Sequence, residues 1–94
     1  MKATVVGLVT PHVLKLIDIA KQAESGMNVD WHLRDAVART LDDLGQQFNK
    51  RELLAAYIHG LQVAASDARP TRRVYIGKLR EAAALAANDP RARE

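Results

Sequence analysis

At 94 residues, with no cysteine and 48% hydrophobic residues, the chain reads as one small domain without a disulfide framework or thiolate metal site. Its net charge of +3 is uneven: residues 1–48 hold five basic and six acidic side chains, and residues 49–94 hold nine and five. A polyanion partner is therefore to be sought in the second half.

Lys2 to Val9 is rich in β-branched and apolar residues, which predicts a short strand. No second strand-like run follows, so this strand would have to pair with a copy of itself. The same run is too short for a signal-peptide core, and no segment reaches the roughly 20 apolar residues of a membrane span. A cytoplasmic protein without membrane attachment is expected. Thr10-Pro11 then predicts a helix start, with Thr as cap and Pro in the first turn. Val13, Leu16, Ile17 and Ala20 share one face of that helix, Leu14, Ile19 and Ala23 flank it, and Gly26 stops it.

Asn28 or Asp30 caps a second helix to about Gln47, with Leu33, Val37, Thr40, Leu41, Leu44 and Phe48 as its apolar stripe. Asp35, Arg39 and Asp43 lie opposite at i, i+4 spacing. Asn49 and Glu52 have the spacing of a capping box for a third helix to about Ala65, with Leu53, Leu54, Tyr57, Ile58, Leu61 and Ala64 inward. Ser66 to Pro70 connects to a fourth helix, Thr71 to about Ala87, ended by Asn88-Asp89-Pro90. The expected fold is mostly α, one N-terminal strand plus four helices in a single domain. Residues 1–48 would form a dimerisation segment, 49–87 a helical hairpin and 88–94 a flexible tail.

Strand, Pro-started helix, Gly turn and helix within about forty residues resemble the ribbon-helix-helix family of Arc-type repressors. The turn Gly26-Met27-Asn28-Val29-Asp30-Trp31-His32-Leu33 is similar to that family's Gly-x-Ser-Val-Asn-x-x-Ile signature, with Asn28 in place of Ser and Asp30 in place of Asn. The resemblance implies a homodimer whose two strands pair as a ribbon, with alternate side chains entering the DNA major groove. Here the groove-facing positions would be Val5, Gly7 and Val9, none of which can hydrogen-bond a base edge through its side chain. Phosphate contact is better sought on the fourth helix, where Arg69, Arg72, Arg73, Lys78 and Arg80 accompany Tyr75.

The first functional expectation is accordingly a small dimeric regulator that binds duplex DNA through those five cations. The alternative is a non-catalytic helical interaction module, an adaptor or inhibitor of a larger complex, for which the same patch would suit an acidic protein. Its partner-binding residues would be Trp31, Val5, Val6 and Leu8. Trp31 lies off the second helix's stripe, packed against a neighbour or exposed as an anchor. His12, His32 and His59 lack partners at ligand spacing, and no nucleophile has a base at readable spacing. Neither catalysis nor a cofactor is expected.

Overall fold

The computed structural model describes residues 4–93, and within that range the chain opens with a helix. Helix α1 spans Val5–Glu24, α2 Asp30–Gly45, α3 Lys50–Asp67 and α4 Arg73–Asn88, followed by the single turn α5, Pro90–Arg93. No strand occurs among the described residues. The expected fold class, with its N-terminal strand and ribbon-helix-helix-like first half, is thereby corrected. Val5 to Val9 form the start of α1; Lys2 and Ala3 lie outside the described residues.

The physical reason is in the helical phase of that run. Val5, Leu8, Val9 and Leu16 recur at helical spacing and turn toward the core, where Val9 and Leu16 are buried and Val5 and Leu8 pack at its edge. A helix satisfies its own backbone, whereas a lone strand needs a partner the fold does not supply. The cap is Thr4, not Thr10: its Oγ1 accepts from the Gly7 N–H at 2.9 Å. Thr10 instead donates its hydroxyl to the Val6 carbonyl at 2.7 Å.

Pro11 consequently sits inside α1 and cannot donate to the Gly7 carbonyl. Gly7 is exposed, which leaves water to satisfy that carbonyl. The end of α1 was legible. Gly26 takes φ +97°, its N–H bonds to Ala23 and that of Met27 to Gln22, the paired bonds of a Schellman stop.

At α2 the Asn28 side chain accepts from the Asp30 N–H at 3.2 Å while Val29 occupies the cap position. Leu33, Val37, Thr40, Leu41 and Leu44 are buried as the stripe requires. Phe48 is not: α2 ends at Gly45, and the ring projects fully exposed beyond it. Asn49 makes no side-chain cap bond, so the expected capping box does not form. Asp89 adopts an extended conformation ahead of Pro90 and ends α4.

α1, α3 and α4 pack most extensively on one another, and α2 lies across all three. Leu16, Ile19, Leu33, Leu41, Leu53, Tyr57, Leu61 and Leu79 fill the shared interior. Gly60 lets α1 and α3 approach closely, since a Cβ there would lie 2.9 Å from Val13 Cγ2. Among the described residues, ion pairs of Arg72 to Glu24, Lys78 to Asp30, and Arg91 to Asp42 tie distant segments together.

Candidate protein-interaction groove

The five cations expected to contact phosphate do not form one free surface. Arg72 is clamped: its Nε and Nη2 donate to the two Glu24 carboxylate oxygens at 2.9 and 2.6 Å, and its guanidinium lies 3.7 Å over the Tyr75 ring. Lys78 Nζ reaches Asp30 at 2.9 Å and Glu81 at 3.4 Å. These bonds hold the Glu24 and Asp30 carboxyls below their usual values, with Arg72 and Lys78 as the causes, and raise both cations in return. Arg69, Arg73 and Arg80 remain at the surface. On α4, Arg73 and Arg80 are seven residues apart and so share one side, with exposed Gly77 between them.

The partner-binding residues also separate. Trp31 is 82% exposed at the first turn of α2, beside Asp30 and Arg34, and is not packed against a neighbouring element. Val5 and Leu8 serve the core edge. Val6 points outward at 71% exposure and belongs to an apolar concavity of the surface.

That concavity is a groove of about 380 Å³ between the first half of α1 and the middle of α3. Val6, Val9, Thr10, Val13 and Leu14 form one wall; Ala56, His59, Gly60 and Val63 form the other. The α1 wall follows from register. Val9 faces the core, so Val6, Thr10 and Leu14, at i, i+4 and i+8, fall on the flank toward solvent. Leu14 is 57% exposed, and no Lys, Arg, Asp or Glu lies among the nine lining residues. The small residues Ala56 and Gly60 form the opposite wall, and Val63 rises beyond them. Thr10 brings little polarity, since its hydroxyl is already spent on the Val6 carbonyl.

A polar contact between His12 and Thr40 links α1 to α2, with the Tyr57 hydroxyl of α3 alongside. Thr40 is buried and donates to the Ala36 carbonyl at 2.8 Å, so its contact with His12 Nδ1 at 3.3 Å makes the histidine the donor. The Tyr57 hydroxyl is fully buried and has no hydrogen-bond partner. Burial pushes it up to about 12; the Thr40 hydroxyl alongside offsets this in part but is not aligned as a bond. Among the described residues, no three His, Asp or Glu side chains gather in metal-binding geometry.

Sequence reasoning reached only Val6 of the groove. Leu14 was visible as a flank residue, and a glycine in mid-helix at position 60 was the available signal for a close helix crossing. Val63 and His59 lie off the α3 stripe and carried no signal. No helix of the described residues is long and apolar enough to cross a membrane. The chain matches no protein-family model, no curated protein and no solved structure.

Proposed function

We propose that the chain is a non-catalytic interaction module that receives an amphipathic helix in the groove between α1 and α3. The observation that carries this reading is a concavity lined by no Lys, Arg, Asp or Glu and flanked by two exposed aliphatic side chains, Val6 and Leu14. A buried site would hide such residues, and a purely solvated helix face would carry charge at these positions. The volume suits two or three Leu-sized side chains, the anchors a helix presents at i, i+3 or i+4, and i+7.

The test is a heteronuclear NMR titration with a designed amphipathic peptide bearing leucine at those spacings. Resonances of Val13, Gly60 and Val63 should shift, the indole of Trp31 should not, and Leu14→Glu should abolish the response. A response confined to Trp31, or none, would reject the groove as the docking site.

A second reading keeps duplex DNA as the partner, supported by the exposed Arg73 and Arg80 on one side of α4 with Arg69 nearby in the connector. With three cations, the slope of log K against log salt should be no steeper than about −3, at roughly −0.9 per phosphate neutralised. Absence of binding to generic duplex at low salt would remove this reading.

A further inference from the structure

We infer that the resident occupant of the groove is α1 of a second copy of this chain, an inference that rests on the docking reading above. Two features of α1 argue for it. The ten residues Val5 to Leu14 contain no Lys, Arg, Asp or Glu, although Val6, Gly7, Thr10, Pro11 and Leu14 are all exposed. Val6, Thr10 and Leu14 also form an exposed helical stripe at i, i+4 and i+8 with an aliphatic side chain at each end, close to the anchor spacing the groove suits. One copy therefore carries both the groove and a matching insert, which is what a two-fold, isologous interface requires.

An antiparallel pair of α1 helices with its axis at Thr10 sets Val6 against the partner's Leu14 and Leu14 against the partner's Val6. Thr10 at the axis leaves no unmet hydroxyl, because it bonds to the Val6 carbonyl of its own helix at 2.7 Å. The Gly7 position thins the helix where the partner must approach. The groove walls carry no Lys, Arg, Asp or Glu with which to select a charged foreign helix over this one.

Area sets the strength. Nine groove residues plus exposed Gly7 and Pro11 make eleven a side, roughly half of the 20–30 in a standard interface. The dimer is correspondingly weak and should form only at high protein concentration. A foreign helix of the proposed kind would compete with it, so peptide affinity should fall as protein concentration rises.

The experiment combines sedimentation equilibrium of the full chain with disulfide trapping, which is clean because the protein has no cysteine of its own. The wild-type mass should move from monomer to dimer with concentration. Leu14→Glu should remain monomeric with an unchanged circular dichroism spectrum and melting temperature. Thr10→Cys should oxidise to a covalent dimer, and Asp43→Cys, on the exposed side of α2, should not. A wild-type mass that stays monomeric, or a dimer that Thr10→Cys fails to trap, overturns the inference. If the chain is monomeric but the leucine peptide still shifts Val13, Gly60 and Val63, only the second copy is excluded and the docking reading stands. If neither occurs, both fall.

Discussion

Gly60 and Gly77 both lie inside helices, yet their environments demand opposite outcomes from adding a side chain. A Cβ at Gly60 meets Val13 Cγ2 at 2.9 Å, whereas one at Gly77 meets nothing within 4 Å. Gly60→Val should therefore cost about 1–3 kcal/mol through overpacking between α1 and α3. Gly77→Ala should stabilise by about 0.5–1 kcal/mol through lower unfolded-state entropy. Urea denaturation of the two variants checks both signs. Tyr57 makes a third case. Its ring is core, but its hydroxyl is buried without a partner and is raised from 10.0 to about 12. The neutral form is thus favoured by folding: stability from this group is complete below pH 10 and is lost as pH rises from 10 toward 12. Tyr57→Phe should leave stability at neutral pH unchanged or higher by up to about 1 kcal/mol and remove that alkaline loss. Thermal melts across that range would show it.

For the helices, Pro11 is the most exposed weakness of α1. It removes one internal hydrogen bond and crowds the carbonyl four residues back, a cost of about 3 kcal/mol in a helix interior. Pro11→Ala should raise stability by about 1–3 kcal/mol with helix content preserved, as read by circular dichroism and urea titration. A strand over Val5–Val9 would predict no such gain. The junctions of α4 respond to pH instead. Glu24 and Asp30 are held below their ordinary 4.5 and 3.8 by Arg72 and Lys78. Their contribution is complete above pH 4.5 and is lost progressively below 4.5 for Glu24 and below 3.8 for Asp30, as the carboxylates take up protons. The melting temperature should fall through that window, and Glu24→Gln should blunt the fall while lowering the plateau. Because the pairs are solvent-exposed, salt should weaken them too.

At the scale of the whole molecule, part of the charge of the described residues holds helices together. Arg72, Lys78 and Arg91 each bind an acid some fifty residues away in sequence, and two of the three had been candidates for phosphate contact. The remaining basic surface is thinner than composition implied. The apolar surplus of the N-terminal segment, by contrast, reappears as the groove. The excess of apolar residues on the first helix was legible, since its apolar arc was too wide for one neighbour to cover. Its phase was not: β-branched residues followed by Thr10-Pro11 mimic a strand and a helix start equally well. What decided between them was burial of Val9 together with Leu16, a relation across two turns that appears only once the helix exists.

The sequence by itself determined four helical segments, the stop at Gly26, the break before Pro90 and most of the buried stripes. Each of these rests on contacts within a few residues along the chain. Tertiary packing alone decided the conversion of the expected strand into helix, the pairing of Arg72 with Glu24 and Lys78 with Asp30, and the groove between α1 and α3. Those depend on which faces meet across the core, and a close crossing such as Gly60 on Val13 is a property of two helices together.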